Sequence, residues 1–556
     1  MKKFLVICLL ATVTLAYADN SKLSPDLQAS KASHAVVIVQ YNQQPGLLDL
    51  ANITNLLGTI LSDLPLVNGI VADLPLANIL SLSNQANVKY ISLNRSMSPT
   101  LSNAAPAINA FAAWQSGYTG AGVGVALIDS GVINHPDLHG GFLGLPRVVY
   151  SQSFVTGNSS ATDQYGHGTH VAGLIAGDAA SSTGPQYSRT FEGIAPGANL
   201  INLRVLDQNG EGTDSAVIAA IAQAITLKGL FNIRVMNLSL GRPIYESYKL
   251  DPVCQAVEAA WKSGIVVVVA AGNEGRNGYA TILSPGCAPH VITVGAMKTE
   301  ATMGVNDDRV ASYSSRGPTN IDLIAKPDVV APGNLVDSLL APGSTLANQY
   351  PGNIVAASSY THAKVSGTPL YFQMSGTSMA TPVVSGAAAL MIEKDPTLTP
   401  DTVKARLMKT ASKNFPVMST AVDPTTGKSY TDFYDMFTVG AGYVDVAAAL
   451  TDYDQVRGTA ASPQIVYNAL LGTAFLVPNL AETWWSAPNL FTSAVWGPVV
   501  LVPGAQGTSA IWGSSASWGT SASWGTSASW GTSASWGTSA SWGTSASWGT
   551  STQGEE

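Results

Sequence analysis

Charge is what this chain has least of. Asp, Glu, Lys and Arg make up only 11% of its 556 residues, well under the quarter or so usual in soluble domains. No basic tract occurs and the net charge is −8, which argues against nucleic acid as a partner. Beyond the N-terminus no stretch is long and apolar enough to read as a transmembrane helix. Cysteine is also scarce. Of Cys8, Cys254 and Cys287, the first falls in an apolar leader. The other two fit either a bridge or two separately buried thiols, and their spacing does not choose.

What is present begins with "MKKFLVICLLATVTLAYADN". Lys2 and Lys3 precede an apolar run that ends in the small-x-small site Ala16-Tyr17-Ala18. The run is too short to span a bilayer, so residues 1–18 are expected to be a secretory signal, leaving an exported protein. Ile7 before Cys8 speaks against a lipoprotein anchor. Residues 19–103 hold a small α+β unit, in which "HAVVIVQY", "VNGIVADL" and "VKYISLN" read as strands. "LLDLANITNLLGTIL" and "LANILSLSNQ" read as the helices between them. A Ser/Pro/Asn-rich linker follows from Asn94 to Ala105.

From residue 104 to 457 the grammar is different. Apolar runs without polar alternation recur as "GVGVALI", "ANLINLRVL", "IRVMNLSL", "GIVVVVAA" and "HVITVGA". Such runs mark strands buried on both faces. Helical segments separate several of them, with Asp214 expected to cap "SAVIAAIAQAITL", Pro252 to open "PVCQAVEAAWKS", and Thr399 with Pro400 to open "DTVKARLMKTA". The fold class is α/β, a doubly wound, mostly parallel sheet with helices on both faces. Its active site belongs just beyond the carboxyl ends of the strands. Residues 458–511 form a low-charge linker, and 512–556 carry a Ser-Ala-Ser-Trp-Gly-Thr hexad. An even repeat puts Ala, Trp and Thr on one face of an extended chain. Unfolded low-complexity chain, stacked strands, and a tryptophan surface for polysaccharide or a neighbouring cell all fit that tail.

Four polar positions stand at strand or helix ends. Asp129 closes "VALIDSGV". His167 opens "HGTHVAGLIAG". Asn273 lies in "VVAAGNEG". Ser378 lies in "SGTSMATPVVSG", where Thr377 reads as a cap and Pro382 as a first-turn residue. Each has an ordinary structural reading as a turn, core or first-turn residue. His167 and His170, with His135 and His139 nearby, also invite a metal, but His-Gly-Thr-His lacks the Glu of the zinc-protease helix. Taken together, the four supply nucleophilic acyl transfer. Serine needs a base to take its proton, histidine serves near neutral pH, a carboxylate orients the imidazole, and an amide with the Ser378 N–H receives the oxyanion.

"IDSGV", "HGTHVAG", "AAGNEG" and "GTSMATP" resemble, in that order, the four signatures of the subtilisin-like serine proteases. "YSSRGPT", "KPDVVAPG" and "GAGYVDVAAAL" extend the likeness over roughly residues 106–455. The resemblance implies a serine endopeptidase with Asp129 as orienter, His167 as general base then acid, Ser378 as nucleophile and Asn273 as oxyanion donor, His170 being structural. It implies that "NLSLG" pairs with an extended peptide through Ser239, Leu240 and Gly241. Ala271 and Gly272 would wall the primary pocket, Leu283 would floor it, and apolar or aromatic side chains would be preferred. It further implies that residues 19–103 are a ferredoxin-like propeptide, both inhibitor and folding template, autocleaved between about Asn94 and Ala107. A monomer is expected to act on protein or peptide substrates. No cofactor is required for the chemistry. The loop "DAASSTGPQYSRTFEG" lacks the ligand ladder of many relatives, so a structural calcium ion would lie elsewhere, with ligands unknown. Rival readings are a zinc hydrolase and a surface-binding protein whose protease domain is inactive or secondary.

Overall fold

In a computed structural model the described residues are 20–477, apart from short breaks at 25–26, 29, 31, 66–67, 94–103, 141–143, 301, 303, 363–366, 424–425, 457 and 469–472. The expected signal, most of the linker and the hexad tail lie outside the described residues. The chain divides into two compact units, Met1–Ser98 and Pro99–Glu556.

The first unit runs β1 (His34–Tyr41), α1 (Leu47–Asn55), β2 (Thr59–Leu64), β3 (Gly69–Pro75), α2 (Leu76–Ser83) and β4 (Val88–Leu93). Its sheet has the order β2-β3-β1-β4, every neighbour antiparallel. One expectation needs correction. The first helix stops at Asn55 rather than near Leu61, and the chain returns as a fourth strand, β2. Leu57 turns the chain at φ 61°, and a Cβ at Gly58 would come 2.7 Å from Leu74 Cδ2. Helical periodicity thus runs on in sequence past a turn that only the left-handed backbone and a close approach reveal.

The second unit is built on β5 (Gly124–Asp129), β6 (Val148–Ser153), β7 (Asn199–Arg204), β8 (Ile233–Leu238), β9 (Val266–Ala270), β10 (Ile292–Lys298) and β11 (Val329–Pro332). The order along the sheet is β10-β9-β8-β5-β7-β6, all parallel, with β11 also parallel on β10 and Arg309–Val310 added antiparallel at that edge. β5 and β9 are buried at every residue, as strands covered on both faces must be. The main helices are α3 (His167–Ala176), α4 (Asp214–Phe231), α5 (Pro252–Lys262), α6 (Thr377–Lys394) and α7 (Pro400–Thr410). α3 packs on α6, α4 packs on α5, and both pairs reach β5 or its neighbours.

Three expectations shift here. Thr213, not Asp214, caps α4, accepting a hydrogen bond from Ala216 N. α4 is also long and apolar enough, at mean hydropathy 1.4 over 18 residues, to match a membrane span. Its buried side chains, Ala216, Val217, Ala220, Ile221 and Ala224, fall on one helical face, which is the face packed on β5, β7 and β8. The third shift concerns α6. Gly376 is its N-cap, and Pro382 sits inside the helix rather than in its first turn.

Candidate active site

Strand register assembles the site. Ile128 lies opposite Leu238, and Leu238 opposite Val269. The next residues along the three strands are Asp129, Ser239 and Ala270, so the ends of β5, β8 and β9 present their turns side by side at one sheet edge. Two small-residue helices start at that edge. α3 lies against the turn after β5, where a Cβ on Gly168 would come 2.2 Å from the Gly131 carbonyl. That closeness sets His167, at the head of α3, against Asp129.

His167 Nδ1 is 2.7 Å from Asp129 Oδ1, and both side chains are buried. The same oxygen accepts from Ser130 N at 2.7 Å. Burial by itself lowers the imidazole's pKa, but the charge and hydrogen bond of Asp129, helped by Asp163, outweigh it and hold the ring above the ordinary histidine value. His167 Nε2 is buried and has no hydrogen-bond partner. A base fixed through one nitrogen and open at the other is what proton transfer needs.

At the head of α6, Asn273 Oδ1 accepts from Thr377 N at 2.9 Å and from Thr377 Oγ1 at 3.1 Å. Thr377 Oγ1 in turn accepts from Gly272 N at 3.2 Å. These bonds fix which end of the amide is which. Asn273 Nδ2 is left buried and unpartnered, beside a helix start whose first N–H groups have no intrahelical acceptor. Ser378 is buried, and its hydroxyl donates to Ser239 O at 3.1 Å. It makes no hydrogen bond to His167 Nε2 here.

The interior proline of α6 has a physical counterpart. Pro382 has no N–H for the carbonyl four residues back, that of Ser378. Ser239 Oγ donates to that carbonyl at 2.9 Å. Ser239 Oγ accepts from Asn237 Nδ2 at 3.0 Å, and Asn237 Oδ1 accepts from Ser385 Oγ at 2.8 Å. A directed chain of donors therefore runs from α6 through the end of β8 and back to Ser378.

Of the residues expected to hold substrate, Ser239 turns its side chain inward to this chain. Leu240 and Gly241 line a cavity of about 340 Å³ with Thr213, Asp214, Arg242 and Tyr245. Arg242 Nε donates to both Asp214 oxygens, at 2.9 and 3.0 Å, and Nη2 to Asp251 at 3.1 Å. Leu283 lies between the two expected walls: a Cβ on Gly272 would come 2.6 Å from its Cγ, and one on Gly241 3.1 Å from its Cβ. Leu283 N donates to Ala271 O at 3.0 Å. The other histidines point elsewhere. His170 Nε2 meets the carbonyls of Val336 and Phe372 at 3.1 and 3.0 Å. Burial, then the neighbouring His167, pushes His170 down to about 3. His135 Nδ1 accepts from Asp137 N, and its Nε2 lies 3.1 Å from Leu370 O. Among the described residues no group of three or more His, Cys, Asp or Glu side chains is arranged to hold a metal ion.

A family model described as the subtilase family matches residues 120–442, a span that includes every site residue above. The chain belongs to the subtilase family. Serine protease AprX of Bacillus subtilis (strain 168) is 39% identical over 343 residues, covering 60% of this chain and 71% of that protein. Subtilisin DY of Bacillus licheniformis is 37% identical over 346 residues, 62% of this chain and 96% of its own length. Subtilisin E of Bacillus subtilis (strain 168) is 33% identical over 421 residues, 74% and 94% respectively. This subtilase is a serine-type endopeptidase.

Sequence reasoning missed two residues that hold this subtilase's histidine in place. Asp163 is buried and takes Ser130 Oγ, Tyr165 N and Gly166 N on Oδ1, at 2.9, 3.1 and 2.7 Å. Its Oδ2 takes Thr169 N and Thr169 Oγ1, at 2.8 and 2.7 Å. Ser130 Oγ accepts from Gly168 N at 2.8 Å. Gly166, the N-cap of α3, has no side chain for the role, and Asp163 takes it from three residues back. An acid just ahead of a side-chain-free cap was the available signal.

Proposed function

We propose that the subtilase acts through Asp129, His167 and Ser378, with Asn273 as oxyanion donor, by way of an acyl-enzyme. The observation that carries this is the pair of buried, unpartnered groups flanking the head of α6: His167 Nε2 on a ring held by Asp129, and Asn273 Nδ2 on an amide held by Thr377. In the working complex Ser378 Oγ turns from Ser239 O to His167 Nε2. The imidazole takes its proton as the oxygen attacks the scissile carbonyl, and Asp129 stabilises the resulting cation. Negative charge on the carbonyl oxygen meets Asn273 Nδ2 and the Ser378 N–H. His167 then gives its proton to the leaving amine, and water, deprotonated by the same ring, releases the acid.

Substrate would lie extended along residues 239–241, with a side chain between that segment and Ala271–Gly272, over Leu283. An apolar or aromatic preference follows from this lining. The chain is read as exported behind residues 1–18 and made as a monomeric precursor. Its 19–103 segment, whose described part alternates strand and helix as βαββαβ, acts as a ferredoxin-like propeptide cut by the enzyme itself. Templating makes sense because a parallel sheet of non-local pairings folds slowly. No cofactor enters the chemistry.

A sulfonyl-fluoride reagent tests the reading. It should label Ser378 and stop casein hydrolysis, and Ser378→Ala should accumulate as an uncut precursor. Full activity in the labelled protein, or in Ser378→Ala, removes the assignment.

A further inference from the structure

We propose that Cys254 and Cys287 form a disulfide bond in the exported protein, one that fastens the expected floor of the substrate pocket to helix α5. The two sulfurs lie 3.3 Å apart and both residues are buried. Closing that gap to the disulfide length of about 2 Å asks each sulfur to move about 0.6 Å, within reach of small side-chain rotations. Sequence spacing left bridge and separate thiols equally open, and packing brings the pair together across 33 residues.

The surroundings give the bond a task. Cys254 sits in the first turn of α5, where its N–H and that of Val253 donate to Asp251 Oδ1 at 3.2 and 2.9 Å. Asp251 Oδ2 accepts from Ser284 Oγ at 2.7 Å. Ser284 exchanges backbone hydrogen bonds with Arg242, at 2.8 and 2.9 Å, and follows Leu283 directly. The segment from Leu283 to Cys287 is thus held to the head of α5 at Asp251 and at the sulfurs, and it carries the expected pocket floor. In the folded chain the hydrogen bond to Cys287 and burial push the Cys254 thiol well above its ordinary pKa. Exchange needs thiolate, so the bond forms during folding, before the pair is enclosed.

The proposal rests on the reading that the chain is exported, where oxidants of the disulfide class are available. The step balances as one exchange: two protein thiols and one glutathione disulfide give the protein disulfide and two molecules of glutathione. The two hydrogens lost from the sulfurs are carried by the reduced glutathione. With Cys8 gone in the leader, one pairing remains, so no misbridged form competes.

Two measurements test it. The secreted protein is digested with thiols blocked and no reductant. A linked peptide containing Cys254 and Cys287 is expected, about 2 Da lighter than the sum of the two thiol peptides. The N-terminus read on the same sample decides export separately: a cleaved leader with two blocked thiols overturns the bridge, whereas a retained leader removes only the export reading. Independently, full-length Ser378→Ala is refolded with reduced and oxidised glutathione. A reductant should then lower its thermal midpoint by about 5 °C and leave the Cys254→Ser/Cys287→Ser version unmoved. Free thiols after oxidative refolding, or an equal effect of reductant on both proteins, would overturn the proposal.

Discussion

Replacing Ser239 by alanine should damage the protein in a way that replacing Pro382 repairs. The Ser239 hydroxyl donates to Ser378 O at 2.9 Å and accepts from Asn237 Nδ2 at 3.0 Å. Both bonds are buried. Alanine leaves one carbonyl and one amide N–H without partners. A buried orphan of this kind costs about 1–3 kcal/mol. With partial relaxation, Ser239→Ala should cost about 2–4 kcal/mol for the two. Spread over an unfolding entropy of roughly 2.1 cal/mol/K per residue of the 104–457 domain, that is a fall of about 3–5 °C in that domain's thermal midpoint. The carbonyl is exposed to this loss only because residue 382 has no N–H. Pro382→Ala supplies one at the ordinary helical spacing, so in the Ser239→Ala background it should return about 1–3 kcal/mol.

In the parent background Pro382→Ala gains less, because Ser239 already serves that carbonyl. The double-mutant cycle should therefore show a favourable coupling of about 1 kcal/mol or more. The cycle is best run on Ser378→Ala, which keeps the carbonyl and removes self-digestion. Scanning calorimetry at one heating rate gives the four midpoints. Strictly additive midpoints would refute the reasoning, since they would mean that Ser239 and residue 382 do not share an acceptor.

Asn273→Ala should lower kcat by about 10²–10³-fold, as loss of the oxyanion asparagine does in subtilisin, and leave KM nearly unchanged in peptide hydrolysis. A matching rise in KM would assign Asn273 to ground-state binding instead. The acid limb of kcat/KM should have its midpoint above the ordinary histidine value of about 6.5, because Asp129 and Asp163 raise His167. Asp129→Asn should move that limb to lower pH while cutting turnover. The same shift has the opposite sign for stability. A raised folded pKa gives stability fully present below about pH 6.5 and lost as pH rises through the folded value, so midpoints of Ser378→Ala against pH should show His167 stabilising most where the active enzyme is slowest. Asp163→Ala should cost about 3 kcal/mol or more, since five donors lose a buried acceptor. Asp163→Asn should lower kcat more than it raises KM, and unaltered kcat in a folded Asp163→Asn protein would show that His167 needs no such support.

How much of this was legible in the sequence follows from how far each interaction reaches along the chain. Strands buried on both faces announce themselves by unbroken apolar runs, so β5, β7, β8, β9 and β10 were readable, whereas the register that ends Asp129, Ser239 and Ala270 side by side comes from the strand pairing alone. The four candidate site residues stood out for a different reason. Their chemistry suits few other purposes in that order, and glycines beside them mark where backbone must approach closely, as at Gly168 over Gly131. What stayed hidden depends on partners that sequence places far away. Pro382 looked like a first-turn residue because an interior proline leaves a carbonyl unserved, and the hydroxyl that serves it lies 139 residues before Ser378. The fourth strand of the first unit stayed hidden behind a turn at Leu57, a residue with no preference for the left-handed backbone it adopts.

Asp163 is the instructive intermediate case, because its contacts are local and it was still overlooked. Asp in a polar turn is common for reasons that involve no neighbour, so residue type alone does not separate a surface turn from a buried cap. Separation comes from counting donors. Gly166 brings no side chain to the head of α3, and the helix must still satisfy its first N–H groups inside a buried site. One acid three residues upstream can take Gly166 N, Thr169 N and the Thr169 hydroxyl at once. The general inference is that a buried helix beginning with glycine at its cap implies a side-chain oxygen elsewhere that takes its first N–H groups, as Asp163 does for α3 and Asn273 for α6. In this subtilase Asp163 also carries, through Ser130, the turn that orients Asp129.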